Sequence, residues 1–334
     1  MSLLLFFLVS INVVFVLPIP ALGTIRLANP MHFDLIHRHS PQLMFSRPIT
    51  RIERVNDLVH NDNVRVEIIS RKVGKRGRSR SRRLTGSSPV IPILSGASSL
   101  VGSSFRAADG VLGLGYSNNS FVLKAGKFGN KFSYCLVDHL SPKNVSSYLT
   151  FGPSSSEHGE KSGSEKIMSY TPLILGVING FYPVSVLGIS IGGLMLPIPK
   201  NIWDLKGEGG VIIDSGTSLT FLAEPAYQMV MAALKLPLMV FKPVDIKPFE
   251  FCFNSLGFNE ALVPKLVIHF DNSADFAPPV KSYVIDVSDD VKCLGFMSNG
   301  WPEVSIIGNI MQQNFLWEFD IDRKRLGFVE STCK

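Results

Sequence analysis

The sequence predicts a mainly β protein built as two lobes. Apolar segments are short and broken by Gly, Pro, Ser and Asn at strand spacing. Helical periodicity surfaces in only two places. With 334 residues, 46% of them hydrophobic and 23 of them Phe, the chain can bury one large core or two ordinary ones. Charged residues make up only 18%, which excludes global disorder, coiled coil and collagen.

Met1–Val16 is nearly all apolar and runs into Pro18, Pro20 and the small-residue stretch Ala21-Leu22-Gly23. It is short for a bilayer span, which takes about 20 residues. It reads as a secretory signal peptide over residues 1–23, with a membrane anchor as the alternative. No later segment is apolar enough to span, so the product is expected to leave the membrane once the leader is removed. Residues 24–83 read as a pro-segment ending in Arg71–Arg83, "RKVGKRGRSRSRR", eight basic residues in thirteen. That run lacks a hydrophobic face and is expected to be solvated. It can serve as a linker, a protease-sensitive boundary or a nucleic-acid-binding stretch, the last in conflict with the leader.

The formal net charge of +6 sits at the front of the chain. Residues 1–83 carry 14 Lys/Arg against five Asp/Glu, whereas Leu84–Lys334 carries 19 against 22. The body is mildly acidic, which argues against a nucleic-acid-binding surface there.

In the body, Val111–Leu114, Tyr148–Phe151, Val211–Ile213, Leu266–Phe270 and Ser305–Ile307 read as buried strands, and Phe181–Ile191 as strand turning at Gly192-Gly193. Helices are predicted over Ser120–Phe128 and Glu224–Leu234, the second with Pro225 suited to a first turn. Ser154–Ser164 is Ser/Gly/Glu-rich and reads as a surface loop between a first lobe, residues 84–165, and a second, residues 166–334.

One segment carries chemistry. In "GGVIIDSGTSLTFL", Gly209–Leu222, three apolar residues deliver Asp214 to a strand end. Ser215 and Thr217 offer hydroxyls to its carboxylate, and Gly216 lets backbone approach with its N–H exposed. An ordinary β-turn uses the same tetrapeptide.

Its surroundings separate the two readings. The hydrophobic–hydrophobic–Asp-Ser-Gly-Thr form resembles the pepsin-like aspartic peptidase family, with "FYPVSVLGISIGG" upstream and the "EPAY" helix downstream. Ser305–Cys333 resembles the closing strands of that family's C-terminal lobe; "ADGVLGLG" (Ala108–Gly115) and "KFSYCLVD" (Lys131–Asp138) resemble the end of its N-terminal lobe. "HFDLIHRHSP" (His32–Pro41) is similar to the start of the propeptide in the plant nepenthesin-like branch. The resemblance spans nearly the whole chain and implies a pepsin-like bilobal fold and an aspartic endopeptidase ancestry.

The chemistry so implied needs two aspartates that face each other, share one proton and hold a water, and it needs neither cofactor nor metal. Like charges that close cannot both ionise: one carboxylate accepts the water's proton while the protonated partner polarises the peptide carbonyl. Here the sequence departs from the pattern. No second Asp-Thr-Gly or Asp-Ser-Gly occurs between Thr24 and Gly209. "PVIPILSG" (Pro89–Gly96), which resembles a mature N-terminus, is followed within about ten residues by motifs from that lobe's far end. The C-terminal lobe reads as complete and the N-terminal lobe as missing roughly a hundred residues. A lone Asp214 is therefore expected to titrate like a hydrogen-bonded surface Asp, and the truncated lobe to expose open sheet edges. Two chains about a two-fold axis could pair two such acids, but the residues before 165 obstruct that and the chain is expected to be a monomer.

Four cysteines allow three pairings, which spacing leaves open. The resemblance implies Cys252–Cys293 within the C-terminal lobe and Cys135–Cys333 tying the first lobe to the terminus. Asn118 and Asn144 head glycosylation sequons. The leader, disulfides and sequons together predict secretion to the extracellular space (apoplast), or delivery to the vacuole. "GLGYSN" lacks the third glycine of a dinucleotide loop. His32, His37 and His39 have no Cys nearby, so no metal site is assigned. Asp138-His139 lacks a nucleophile elbow. Trp317 and Phe319 alternate as sheet-packing residues.

Two functions compete. The chain is an aspartic endopeptidase acting on protein or peptide substrates, or a non-catalytic pseudopeptidase or peptide- or inhibitor-binding protein on the same fold. Nucleic acid is not an expected partner.

Overall fold

The computed structural model describes residues 5–9, 13–17, 30–37, 50–73, 111–118, 120–124, 130–138, 140–141, 145–152 and 167–333. Most described elements are strands, gathered into four sheets. The largest has nine strands. Its centre pairs Phe315–Asp320 with Lys131–Cys135 on one side and with Arg325–Glu330 on the other. This is why the chain's end reads as alternating aromatics: Trp317 and Phe319 lie opposite Tyr134 and Phe132, and all four are buried. Phe132 and Phe319 stack with ring centroids 4.6 Å apart. The Cys135–Cys333 disulfide closes this seam and Cys252–Cys293 staples a separate four-stranded sheet across directly opposed residues.

The other edge of the large sheet corrects an expectation. Ser147–Phe151 is not an open edge; Met31–His37 pairs with it antiparallel, and Val13–Leu17 and Leu5–Val9 continue the sheet to Val111–Leu112. Leu35 is buried there, and Phe33 packs edge-on against Phe151.

The five-stranded sheet positions the candidate site. Val211–Ile213 lies between Ser305–Ile307, running parallel, and Tyr182–Val184, running antiparallel. Every residue of these three strands is buried, as continuous apolar runs dictate. The predicted strand over 181–191 is divided between two sheets: Val186–Ile191 pairs instead with Leu266–Phe270 and turns back to Leu194–Met195. Gly192 and Gly193 make that turn at φ of +60° and +81°, where a side chain would be strained.

Glu224–Leu238 is helical, four residues beyond the predicted end, with Pro225 in its first turn. Only Phe121–Lys124 of the predicted 120–128 helix is described as helix, and the predicted 111–114 strand covers Val111–Leu112. Residues 125–129, the 154–164 loop, His39, His139 and Asn144 lie outside the described residues. Asn118 stands exposed in a turn.

The element the sequence reading missed is a 23-residue helix, Arg51–Val73. Its signals are legible in retrospect. Thr50 and Glu53 form a reciprocal capping box: the Thr50 N–H donates to Glu53 Oε2 at 2.8 Å and the Glu53 N–H to Thr50 Oγ1 at 3.2 Å. Val55, Leu58, Val59, Asp62, Ile69 and Val73 are buried along one stripe with helical spacing. The aliphatic members pack on Ile212, Leu219, Phe221, Ile306 and Ile310, the outer face of the sheet carrying Asp214. Arg71 and Lys72, expected in a solvated run, form its last turn.

Candidate functional site

Asp214 leaves the end of Val211–Ile213 with its N–H donating to the Ile307 carbonyl at 3.1 Å. The loop then folds back on it. Gly216 N–H donates to Asp214 Oδ1 at 3.2 Å and the Thr217 hydroxyl to Oδ2 at 2.7 Å. Ser215 does not join them; its hydroxyl hydrogen-bonds with Tyr134, and its carbonyl accepts from Asn309 Nδ2 at 3.1 Å. A second loop, after Ser305–Ile307, crosses the first: Asn309 N–H donates to the Thr217 carbonyl and Ile310 N–H to the Ser218 carbonyl. The crossing requires Gly308, where an added Cβ would stand 2.0 Å from the Leu219 carbonyl oxygen. Behind the loops, Gln312 accepts from the Tyr134 hydroxyl, and its Nε2 donates to the Ile307 carbonyl at 2.8 Å.

The Arg51–Val73 helix supplies the rest. Arg65 forks onto Asp214, Nε to Oδ2 at 2.6 Å and Nη2 to Oδ1 at 2.7 Å, a bidentate pair. One turn earlier, Asp62 accepts the backbone N–H groups of Ser218 and Leu219 at 2.7 and 2.8 Å. The helix thus reads the acid loop twice, with a carboxylate on its free amides and a guanidinium on its carboxylate.

Electrostatics follow from this geometry. Burial pushes the Asp214 carboxyl up, but the Arg65 charge and hydrogen bonds, then Thr217 and Gly216, outweigh it and hold the group below its ordinary value. This corrects the expectation of a partnerless, surface-like acid: Asp214 is 6% exposed and ion-paired. For Asp62 the balance reverses. Burial raises its carboxyl to about 7 against the pull of its two N–H donors, with the Asp214 charge adding a smaller push the same way. Arg65 sits above its ordinary value because Asp214, and to a lesser degree Asp62, outweigh its own desolvation.

A cavity of about 260 Å³ remains beside the pair, between the helix, the Gly113–Gly115 loop and the Phe132–Phe319 stack. Lys72 borders it, its Nζ 5.2 Å from the Phe181 ring centre. Among the described residues no group of three or more His, Cys, Asp or Glu could hold a metal ion, and no helix is long and apolar enough to cross a membrane. His32 hydrogen-bonds Thr150, and Asp138 pairs with Lys281 at 2.9 Å.

Two crossed loops present an Asp-Ser-Gly-Thr acid from a β-sheet core, the arrangement expected of an aspartic-peptidase-type site, with one such loop acid among the described residues. Residues 78–153 match the family model described as xylanase inhibitor N-terminal, and residues 181–330 the one described as xylanase inhibitor C-terminal. Aspartyl protease family protein 2 of Arabidopsis thaliana is 37% identical over 235 residues, 69% of this chain and 46% of that protein. Aspartic proteinase nepenthesin-1 of Nepenthes gracilis is 32% identical over 213 residues, 61% of this chain and 46% of that protein. The crystal structure of edgp superposes with a TM-score of 0.58 at 21% identity, covering 68% of this chain and 61% of that one. Basic 7S globulin from soybean gives 0.55 at 24%, covering 68% and 58%. The chain belongs to the pepsin-like aspartic protease family and has its mainly β fold. It spans about half the length of the curated relatives it matches.

Sequence reasoning found Asp214, Gly216 and Thr217 and missed Asp62 and Arg65. The signal for the missed pair was the helical stripe itself: an Asp on the apolar face of a capped helix, with an Arg one turn on, demands partners.

Proposed function

We propose that this chain is a non-catalytic member of the family, a binding protein on the peptidase fold whose surviving acid seats its own helix. The observation that carries this reading is the Arg65–Asp214 fork. Peptide hydrolysis by an aspartate pair needs a carboxylate that shares a proton with a second carboxyl. Here both Asp214 oxygens face a guanidinium, which has no proton to lend and no acceptor. The xylanase-inhibitor naming of both matching family models supports a role in holding a protein or peptide rather than cutting it. The apolar leader, the two disulfides and the sequons at Asn118 and Asn144 support a secreted or vacuolar monomer that loses residues 1–23.

A second reading is favoured by the relatives named as aspartic proteases and by the intact hydrogen bonding of the Asp214 loop. In it the chain is an endopeptidase whose dyad partner comes from outside the described residues. Digestion of a denatured protein substrate between pH 3 and 6 separates the two. The non-catalytic reading expects no hydrolysis by the natural chain or by Arg65→Ala. Hydrolysis by the natural chain that disappears in Asp214→Asn would establish the second reading.

A further inference from the structure

We propose that the outer face of the Val186–Ile191 sheet carries a second site, a Ser190–His269–Asp275 relay whose serine takes the acyl group from activated aryl esters. The site shares no residue with the Asp214 loop, so it stands apart from the reading of this chain as a non-catalytic peptidase relative.

The sheet lays the three residues in line. Val186–Ile191, Leu266–Phe270 and Ala274–Phe276 run antiparallel side by side, with His269 opposite Gly188 on one flank and opposite Asp275 on the other. Ile189, Ile191, Leu266, Ile268 and Phe270 belong to the core, and alternation therefore turns Ser190, Val267 and His269 to the outer face. Gly188 presents no side chain to the imidazole, which reaches past it to the next outward residue, Ser190.

His269 Nδ1 meets Asp275 Oδ1 at 2.7 Å, and its Nε2 meets Ser190 Oγ at 2.8 Å. A carboxylate can only accept, so Nδ1 carries the proton of the neutral ring. Nε2 is then the acceptor and the Ser190 hydroxyl the donor. A serine nucleophile needs this order: a base on its proton and an anion that fixes the tautomer of the base.

The neighbours set access and substrate class. The Asp275 side chain is 61% exposed and His269 partly so, whereas Ser190 is buried. Directly across from Ser190 on the edge strand stands Met195, 57% exposed, with its thioether lying on Gly188. Methionine is unbranched and adaptable, which makes it a cover that an incoming ester can displace. Met195 and the outward Val267, both paired with Ser190, give an aryl group an apolar rest.

Water is the one co-reactant. As Ser190 Oγ bonds to the acyl carbon, its proton passes to His269 Nε2. The bond from that carbon to the aryl oxygen breaks, and the aryl oxide leaves with the electron pair and takes the proton from the imidazolium. Water then attacks the acyl carbon, His269 accepts its proton and returns it to Ser190 Oγ, and the free acid departs. The relay supplies proton transfer, so the class is esters whose leaving group is a stable anion rather than amides.

The test treats the full chain with p-nitrophenyl acetate at about pH 8, where an ordinary imidazole is neutral. Peptide mass mapping is expected to find acetyl on Ser190, with a matching burst of nitrophenolate. Acetyl confined to lysines or other surface positions would overturn the proposal, and this readout needs no variant. Asp275→Asn, at an exposed position, is expected to slow acetylation of Ser190 about a hundredfold, lowering the maximal rate while the half-saturating ester concentration stays. An unchanged rate would overturn the positioning role of Asp275. Met195→Ala is expected to speed acetylation, and no gain would overturn the part given to the thioether.

Discussion

Arg65 and Asp214, 149 residues apart in sequence, meet through two parallel N–H···O contacts of 2.6 and 2.7 Å on a buried carboxylate. The pair makes the Asp214 loop an ion-pair seat for the Arg51–Val73 helix. Everything distinctive about the site follows from which helix occupies it.

Removing one partner of this pair should be costly. Arg65→Ala leaves the Asp214 charge buried and uncompensated, and is expected to lower stability by about 3–5 kcal/mol in urea unfolding. Replacing both, Arg65→Met with Asp214→Leu, removes the stranded charge and is expected to recover most of that loss. Equal destabilisation by the single and double replacements would contradict the pairing.

The two helix-contacting carboxylates give stability a shaped pH dependence. Asp214 is depressed in the folded chain, so its contribution is present above its unfolded value and is lost as pH falls through the folded one. Asp62 is raised to about 7, so its contribution is present below the unfolded value and is lost as pH rises toward 7. Their sum predicts a maximum near pH 4, about the ordinary Asp value, with a decline up to about pH 7. Melting temperatures between pH 3 and 8 check this, and Asp62→Asn should flatten the decline between 4 and 7.

The helix cap offers a milder test. Thr50→Ala removes the hydroxyl that accepts the Glu53 N–H and donates to its carboxylate, at 3.2 and 2.9 Å. A loss of about 1 kcal/mol is expected, with earlier amide exchange in residues 51–56 than in the sheets.

Gly308 tolerates no side chain. An added Cβ would lie 2.0 Å from the Leu219 carbonyl oxygen and 2.7 Å from that of Ser218, both backbone atoms of the crossed loop. Gly308→Ala is expected to cost more than about 3 kcal/mol or to yield insoluble chain, as judged by expression and thermal melting. Normal melting would show that the two loops can part.

Most of the β framework was legible because its signals are local. Val211–Ile213, Leu266–Phe270 and Ser305–Ile307 are apolar runs between turn residues, and their boundaries match the sheets. Asp214 was legible because its holders, Gly216 and Thr217, follow it within three residues. The partner of that acid was not, because the contact spans 149 residues and its carrier resembles a removable pro-segment. The division of 181–191 between two sheets was hidden for a similar reason: alternation shows that strand exists but not which neighbour each part takes.

The central claim is that Arg65 holds Asp214 ionised, in place of a second acid among the described residues. Carboxyl-carbon NMR titration of Asp214, assigned through Asp214→Asn, measures this directly. A single titration below the ordinary Asp range, moving upward in Arg65→Ala, is expected. A titration at or above that range in the natural chain would contradict it.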